Sequence, residues 1–377
     1  MVFFYCSLAI CTITVFLNFY LLIGFKKIRQ LSKQPVIEKQ PSLAIIIAVR
    51  NEEEDLAKAL QSLCNINYQN CRIIVVNDRS TDRTPEILED FKRSHPQLNV
   101  VTINVLPGGW LGKNNALYQG YLNSTEEWLL FTDADIVFHP DAISRALGYV
   151  VNNQLDHITI LPEMVSRSVL LNSVFATFCI MLMMHMKPWD AKNPKSKSFA
   201  GVGAFNLIRR DAYEKIGTHT KIKLRPDDDL QLGMKVKLTN LRQDVLAGKG
   251  YICLEWYKNL RQFGNGLLKN SFAAANYKLT TAIANVLFIL VAIALPMPVM
   301  FIFGTVTIRL MATIMLLFHI TYMIIVPPNK WWHAFMIPFA GFFVAYVFLR
   351  AALITVKQGG IYWRDNFYSL KMLRDKN

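Results

Sequence analysis

The first 24 residues of the chain, MVFFYCSLAICTITVFLNFYLLIG, carry no charge and restrict its fold more than any other stretch. A helix needs ~20 apolar residues to cross the ~30 Å hydrocarbon core of a membrane, and this run supplies them. Basic residues follow at once, which is typical of a cytosolic flank: Lys26, Lys27, Arg29 and Lys33. A cleaved signal peptide is the alternative, but the run lacks a basic start and an Ala-x-Ala exit. We predict a transmembrane anchor over residues 1–25.

Apolar residues dominate again from 279 to 356, with breaks at Pro296, Pro298, 304–309 and 327–332. We predict about three transmembrane helices here, followed by a basic tail over 357–377. Three helices after one anchor would place that tail outside, against the tendency of Lys and Arg to stay in the cytosol, so their number stays open. Hydrophobic residues make up 53% of the chain, too many for a purely soluble protein. The chain is predicted to be a multi-pass protein of the cell membrane.

The formal net charge of +14 predicts contact with the lipid bilayer. Part of this charge lies beside the predicted membrane edges, where Lys and Arg favour anionic headgroups and the cytosolic side. Nucleic acid is the other partner that a basic chain attracts, but no basic helix or interleaved aromatic platform is present in the sequence. The six cysteines form no CxxC pair, so neither a zinc site nor a disulfide framework is predicted. We expect a reducing, cytosolic environment and no nucleic-acid partner.

Residues 36–278 read as alternating strands and helices. Apolar strand-like runs are separated by segments with helical spacing, and acids at 52–55 are expected in the first turn of the first helix. The runs are LAIIIAV (43–49), RIIVV (72–76), NVVTI (99–103) and EWLLF (127–131). Such a series predicts an α/β domain with a mostly parallel sheet and helices on both faces.

Polar side chains follow these strands where each one ends. In open parallel sheets, ligands bind beyond the carboxyl ends of the strands. The residues at those ends are Arg50, Asn51 and Glu52, then Asn77, Asp78 and Arg79, then Asp133 and Asp135. Asp and Asn are also common in turns and helix caps, which is the alternative for any single position. Three such positions at three strand ends favour a shared site.

Asp133 and Asp135 are separated by one residue and can reach one hard cation. Mg²⁺ is typically held by one or two carboxylates together with substrate phosphate oxygens, so this pair predicts a diphosphate substrate. A P-loop is excluded, because PGGWLGKNN (107–115) is one residue too short and has Asn114 in place of Ser or Thr. Lys113, near a predicted helix start, is either a point charge for a diphosphate or a solvated lysine.

A second acidic cluster, RPDDDLQLGMKVK (225–237), has three consecutive aspartates. Adjacent carboxylates repel one another, so such a cluster can raise a pKa or bind a cation. One of them near an acceptor hydroxyl could act as a general base, and simple helix capping is the alternative.

Together these residues resemble membrane-bound, inverting family 2 glycosyltransferases with the GT-A fold. The resemblance covers about 41–269 and extends more loosely to the tail. Its parts stand in family order: AVRNEE (48–53), VVNDRSTD (75–82), WLGKNNAL (110–117), FTDAD (131–135), GVGAFNLIRRDAYEKIG (201–217), PDDDLQLG (226–233) and RQFGNGLLKNSFAA (261–274).

The resemblance implies roles for residues in this site. Asp229 would be the catalytic base, with Asp228 as the alternative, because Leu230 and Leu232 fit the family register after that pair. The donor nucleotide-sugar and a divalent Mg²⁺ or Mn²⁺ ion would be held by the remaining residues. Asn51 would belong to the nucleotide-sugar site, with Glu52 near the ribose, Asp78 at the uracil and Lys113 at the nucleotide. Asp133 would lie at the ribose side and the metal, and Asp135 at the metal.

The tail YWRDNFYSL (362–370) resembles that of relatives that glycosylate carotenoid, hopanoid or sphingolipid-type acceptors, although Asp365 stands where glycine is usual. Processive polysaccharide synthases carry Gln-x-x-Arg-Trp, which is absent here. We therefore expect transfer of a single sugar from a UDP-sugar to a membrane lipid, with inversion, on the cytosolic side. A processive synthase, a non-catalytic scaffold and a transport protein are the alternatives.

The apolar segment at 169–186 falls inside the predicted catalytic region. It is long enough to span a membrane, but spanning would put the two acidic clusters on opposite sides. An interfacial helix that admits a lipid acceptor is expected instead, and an ordinary buried helix is the alternative.

Overall fold

The computed structural model describes residues 1–166, 168–325, 330–363 and 366–374. The chain divides into two compact units. The sheet unit contains residues 28–165 and 186–256, and the helical unit contains residues 1–27, 166–185 and those from 257 onward. Pro327 and Pro328 of the predicted break, and Arg364 and Asp365 of the tail, lie outside the described residues.

The strands are numbered along the whole chain. They are β1 Arg29–Gln30, β2 Leu43–Val49, β3 Cys71–Asp78, β4 Leu98–Ile103, β5 Trp128–Thr132, β6 Ile136–Phe138, β7 His157–Leu161, β8 Glu163–Met164, β9 Asn206–Arg209, β10 Gln243–Ala247, β11 Ile252–Leu254, β12 Gly360–Trp363 and β13 Asn366–Ser369.

The α-helices are numbered in the same way. They are α1 Val2–Lys27, α2 Leu56–Cys64, α3 Thr84–Ser94, α4 Gly112–Leu122, α5 Ala142–Asn152, α6 Val169–Met186, α7 Arg210–Lys215, α8 Asp228–Leu238, α9 Leu260–Gly266, α10 Leu268–Ala273, α11 Leu279–Ile289, α12 Pro296–Phe303, α13 Val306–Ile325, α14 Ile337–Gln358 and α15 Leu370–Arg374.

The main sheet of the sheet unit has the strand order β1-β10-β7-β9-β5-β2-β3-β4. Its pairs are parallel except where β9 lies antiparallel between β5 and β7. A smaller sheet, β6-β11-β8, accompanies it. The α/β fold with a mostly parallel sheet is therefore confirmed. Because β2, β3 and β5 run in parallel as neighbours, their carboxyl ends meet at one edge.

The strands β2 and β3 are apolar because both faces of the sheet are covered. Ile45, Ile47 and Val75 belong to the core on one face, while Ile46 and Val76 belong to the core on the other. A strand buried on both faces reads as a continuous apolar run, which is why the sequence located these strands well.

One local expectation was wrong. Helix α2 begins at Leu56, so the acids at 52–55 lie in the loop before the helix and not in its first turn. Backbone N–H groups of that loop instead find side chains of the next loop: Glu52 donates to Thr84 Oγ1 at 2.9 Å, and Glu53 to Asp82 Oδ2 at 3.2 Å. The loop is held by these bonds rather than by the helix.

Four helices among the described residues are long and apolar enough to cross a membrane. They are Val2–Lys27, Val169–Asp190, Val306–Ile325 and Trp331–Gln358. The pair Leu279–Ala294 and Pro296–Phe303 is bent by 46° and adds a fifth if it forms one span. Proline interrupts helical hydrogen bonding, which explains the bend. Apolar helices at both ends of the chain agree with the predicted fold class.

Candidate functional site

Two loops at the carboxyl edge, after β2 and β3, are tied to each other. Asn51 accepts a hydrogen bond from the Thr81 N–H at 2.8 Å through Oδ1, and its own N–H donates to Ser80 Oγ at 3.1 Å. Asn51 and Arg79 have positive φ angles of 54° and 57°, a region that few residues other than glycine and asparagine favour. The side chain of Asn51, predicted to bind the nucleotide-sugar, thus shapes the loop that carries Glu52.

Asp78 lies at the end of β3 and is 2% exposed. Arg79 binds both of its carboxylate oxygens, with Nε at 2.8 Å and Nη2 at 3.1 Å, and Arg50 Nη1 lies 3.8 Å away. Gly112 starts α4 against this group, since a Cβ there would lie 2.2 Å from Asp78 Oδ2. The glycine lets the start of α4 reach the carboxyl edge of the sheet.

Lys113, the next residue, connects the two acidic clusters. Its Nζ lies 2.7 Å from Asp133 Oδ1 and 3.4 Å from Asp228 Oδ1. Burial alone would lower the pKa of Lys113, but the carboxylates of Asp133 and Asp228 raise it above its usual range. The lysine therefore stays charged, and it is a partner of the site rather than a solvated side chain.

Asp135 has the chemistry of a metal ligand. Its Oδ1 is buried and has no hydrogen-bond partner among the described residues. Burial, followed by the charges of Asp133 and Glu52, raises the pKa of Asp135 to about 7. A cation would both satisfy the oxygen and offset the neighbouring charge, and carboxylate oxygens suit Mg²⁺ or Mn²⁺.

The protein alone offers this cation few ligands. In the described parts of the chain, no group of three or more His, Cys, Asp or Glu residues is arranged to hold a metal. A divalent ion at Asp135 would take further oxygen ligands from water or from a phosphate, as Mg²⁺ commonly does.

The three aspartates before and within α8 have different partners. Asp227 pairs with Arg225, whose Nη2 lies 2.6 Å from Oδ2. Asp228 is buried beside Lys113; burial raises its pKa, and Lys113 offsets part of the increase. Asp229 accepts hydrogen bonds from the backbone N–H groups of Gly203 and Leu230, both at 2.8 Å. Burial and the charge of Asp228 raise the pKa of Asp229 to about 7.

The peptide of Gly203 joins the two clusters by a second route. Its N–H donates to Asp229 Oδ2 at 2.8 Å, and its carbonyl accepts from the Asp133 N–H at 3.1 Å. A Cβ at Gly203 would lie 2.4 Å from Asp133 Oδ2, and one at Gly201 would lie 1.8 Å from the Asp229 carbonyl oxygen. Gly201 and Gly203 had no predicted role, and their i, i+2 spacing within GVGAFN was the available signal.

Four of the eight predicted site residues, Lys113, Asp133, Asp228 and Asp229, line one cavity. Its wall is formed by Lys113, Leu117, Phe131, Thr132, Asp133, Gly203, Asn206, Asp228 and Asp229. Asn206 was missed from the sequence. Its Oδ1 lies 3.2 Å from Nε2 of the fully buried His157, and burial lowers the pKa of His157 to about 4, so this pair is neutral. The other four are not among its lining residues: Asn51 and Glu52 lie in the loop after β2, Asp78 is the last residue of β3, and Asp135 lies between β5 and β6.

Comparison with known proteins identifies related sequences. Residues 44–217 match the family described as Glycosyl transferase family 2. Poly-beta-1,6-N-acetyl-D-glucosamine synthase of Staphylococcus epidermidis is 26% identical over 218 residues, 54% of this chain and 50% of that protein. 4,4'-Diaponeurosporenoate glycosyltransferase of Staphylococcus aureus is 24% identical over 277 residues, 70% of this chain and 72% of that protein. The chain thus spans about half the length of the first relative.

A solved structure resembles the whole chain. Mannosyltransferase PcManGT from Pyrobaculum calidifontis, in complex with GDP-Man and Mn²⁺, superposes with a TM-score of 0.58 at 16% identity. The match covers 93% of this chain and 97% of that one. At this identity the likeness concerns the fold, and it agrees with the GT-A fold that the sequence predicted.

Proposed function

We propose that the chain, whose residues 44–217 match glycosyltransferase family 2, is an inverting hexosyltransferase that moves a single sugar from a UDP-sugar to a membrane lipid. The observation that supports this most is the position of Lys113, 2.7 Å from Asp133 and 3.4 Å from Asp228. The charged group of Lys113 thereby contacts both Asp133, which is proposed to bind the donor, and Asp228, which is the neighbour of the proposed base Asp229. We call the Asp133 side the donor end of the site. Transfer chemistry needs both ends within reach of one sugar ring.

Asp229 is the base in this proposal. Its carboxylate, with a pKa raised to about 7, takes the proton of an acceptor hydroxyl, which attacks the anomeric carbon of the sugar. The bond from that carbon to the diphosphate oxygen breaks as the new glycosidic bond forms on the opposite face, so the configuration inverts. An acceptor carboxylate would need no proton removed and would make Asp229 dispensable.

The rest of the site serves the donor. Lys113 offsets the charge of the nucleoside diphosphate, and the nucleotide-sugar is assigned to Asn51 and Glu52 in the loop after β2 and to Asp78 at the end of β3. Asp135, assisted by Asp133, would hold Mg²⁺ or Mn²⁺, which when bound stabilises the leaving diphosphate. The unpartnered buried oxygen of Asp135 supports this assignment. The Mn²⁺ in the PcManGT complex agrees with it.

A lipid acceptor is supported by the membrane helices and by the names of relatives. The diaponeurosporenoate glycosyltransferase and the beta-monoglucosyldiacylglycerol synthase of Synechocystis sp., which is 33% identical over 111 residues, are named for lipid products or acceptors. The latter match covers 29% of this chain and 23% of that protein. We propose a lipid acceptor and a multi-pass protein of the cell membrane, with the sheet unit on the cytosolic side, where the basic flank after α1 favours it.

Processive polymer synthesis is the second candidate, because one relative is named as a poly-N-acetylglucosamine synthase. The two candidates differ in the product. Purified protein in lipid nanodiscs is given radiolabelled UDP-glucose, UDP-N-acetylglucosamine or GDP-mannose, with Mn²⁺ and a total membrane lipid extract. Our proposal expects label in the organic phase, on a lipid of one added hexose by mass spectrometry.

Other outcomes separate the alternatives. Label in a water-soluble polymer favours the synthase, and transfer from GDP-mannose alone overturns the UDP assignment. No transfer from any donor, together with no stabilisation by nucleoside diphosphates and Mn²⁺, favours the scaffold or transport alternatives. Asp229→Asn is the matched inactive control.

A further inference from the structure

Asn114 is the third residue of α4, directly after Lys113, and it is 1% exposed. Its Nδ2 donates hydrogen bonds to the carbonyls of Ile222 at 2.7 Å and Arg225 at 2.9 Å, while the Lys223 carbonyl lies 3.4 Å away. An amide NH₂ has two hydrogens, so both short bonds can form together. Its Oδ1 is buried without a partner in the described residues. The side chain is therefore held by its donors alone.

The carbonyls that Asn114 binds belong to one turn, residues 222–225. The Arg225 N–H closes this turn on the Ile222 carbonyl at 3.0 Å, and the Leu111 N–H donates to the Lys223 carbonyl at 2.9 Å. Leu111 and Asn114, at the start of α4, thus donate hydrogen bonds to three carbonyl groups of the turn. We call this contact the Asn114 clamp.

The clamped turn leads directly into the acidic cluster. Asn114 binds the carbonyl of Arg225, and the guanidinium group of Arg225 donates two hydrogen bonds to the Asp227 carboxylate. Its Nε lies 2.8 Å from Oδ1, and its Nη2 lies 2.6 Å from Oδ2. Asp227 is the residue before α8, and Asp229 is the second residue of that helix. A displacement of the turn would therefore move Asp229 relative to Lys113.

The ion pair between Lys113 and Asp228 cannot replace the clamp. Lysine carries its charge on a flexible four-carbon stem, so it follows a moving partner and tolerates a range of distances. Asn114 has a short side chain, is fully buried and meets two fixed backbone carbonyls. The Ile222 carbonyl also accepts from the Arg225 N–H, so the bond to the Arg225 carbonyl is the one whose loss costs most, since a buried carbonyl left unpaired is unfavourable.

We propose that Asn114 is a positioning residue: it clamps turn 222–225 to the start of α4 and so holds Asp229 at the correct distance from the donor end of the site. This rests on the proposed function, in which Asp229 is the base. Asn114 touches neither substrate nor metal in this account. It acts through the turn.

The test compares Asn114→Leu and Asn114→Asp in the purified full-length chain, with the nucleotide-sugar that the nanodisc transfer assay identifies as the donor. A misplacement of about 1 Å at a reacting group can cost ~10²-fold in rate, so kcat should fall by about that factor at neutral pH in both variants. The KM for the donor should change little, because the donor residues are untouched. A loss confined to KM would contradict a role at the base.

The pH dependence separates positioning from general damage. The carboxyl group in Asn114→Asp donates a hydrogen bond only when it is protonated, whereas leucine has no donor at any pH. The activity of Asn114→Asp relative to wild type should therefore rise as the pH falls, and that of Asn114→Leu should not. A flat ratio for Asn114→Asp overturns the proposal.

Asn123→Asp is the matched control, since Asn123 caps the other end of α4 and its exposed amide donates to the Gln119 carbonyl at 2.9 Å. It should leave kcat unchanged. Hydrogen exchange gives a readout independent of activity: Asn114→Leu should speed exchange in peptides covering 222–230, and Asn123→Asp should not. If wild type transfers no sugar but this exchange difference appears, the proposed function fails and the clamp stands. Unchanged exchange with wild-type kcat overturns the clamp.

Discussion

Adding one methyl group at Gly203 should impair transfer while leaving the fold almost intact. A Cβ at this position would lie 2.4 Å from Asp133 Oδ2, closer than real Cβ atoms approach other heavy atoms, and 3.2 Å from its Cγ, a tight contact. The Asp133 side chain must then rotate away, which moves its carboxylate out of place and weakens its 2.7 Å contact with Lys113, because the flexible lysine can follow only part of the way. Because the two side chains are 28% and 37% exposed, losing the ion pair should cost at most ~1 kcal/mol of folding stability.

The effect on the reaction should be larger than the effect on stability. Loss of ~1 kcal/mol lowers the melting temperature by roughly 2–4 °C for a domain of ~150–250 residues. Moving a donor-binding carboxylate by about 1 Å can reduce the rate ~10²-fold. We therefore expect Gly203→Ala to melt close to wild type and to transfer sugar ~10²-fold more slowly.

Two further variants make this comparison decisive. Gly108→Ala is the control, because a Cβ there meets nothing within 4 Å, and both rate and melting temperature should be unchanged. Gly201→Ala would press on the Asp229 backbone carbonyl at 1.8 Å, which cannot rotate away, so it should lose stability as well as rate. The assays are sugar transfer in nanodiscs and thermal unfolding. A Gly203→Ala protein with wild-type kcat would refute the reasoning.

Other predictions concern the charged groups. Asp135→Asn should abolish stabilisation by Mn²⁺; in wild type, Mn²⁺ binding measured by calorimetry should weaken below pH about 7, where a proton competes for the carboxylate. Asp229→Asn should lower kcat by ~10²–10⁴-fold, and the wild-type rate should fall as the pH drops through about 7. Because the pKa of Asp229 is higher in the folded protein than in the unfolded chain, this group stabilises the fold below pH about 4, and its contribution is lost as the pH rises to about 7. Asp229→Asn should therefore melt above wild type at pH 8 and lose this advantage near pH 4. Lys113→Met removes a cation that lowers the pKa of Asp228 and Asp229, so the acidic limb of the pH–rate profile should move to higher pH.

The strands at the centre of the sheet could be read from sequence because burial on both faces leaves a continuous apolar run. Strand β2 has the predicted bounds, Leu43–Val49. Strand β9 could not be read in this way. It has four residues and lies antiparallel between β5 and β7, which depends on partners far apart in sequence. Local pattern carries no information about such pairing.

The residues of the functional site could likewise be indicated by the local sequence, whereas their distant partners could not. The end of a strand-like run indicated Asp133 and Asp135, and a run of three consecutive acids indicated the aspartates at 227–229, because sequence position and charge are local properties. The partners were not visible: Lys113 bonds to residues 20 and 115 positions away in the chain, and Asn114 to carbonyls more than 100 positions away. A lysine and an asparagine inside a rejected P-loop pattern gave no indication of these contacts.

The choice between Asp228 and Asp229 as the base comes down to these partners. Three adjacent aspartates would repel one another equally if their surroundings were the same. Arg225 pairs with Asp227 and Lys113 contacts Asp228, whereas Asp229 accepts hydrogen bonds from two neutral backbone N–H groups. Neutral donors stabilise a carboxylate less than a direct cationic partner does. Burial and the charge of Asp228 raise the pKa of Asp229 to about 7, although Lys113 offsets part of the increase. A base must accept a proton at neutral pH, and this pKa is the reason that we propose Asp229 rather than Asp228.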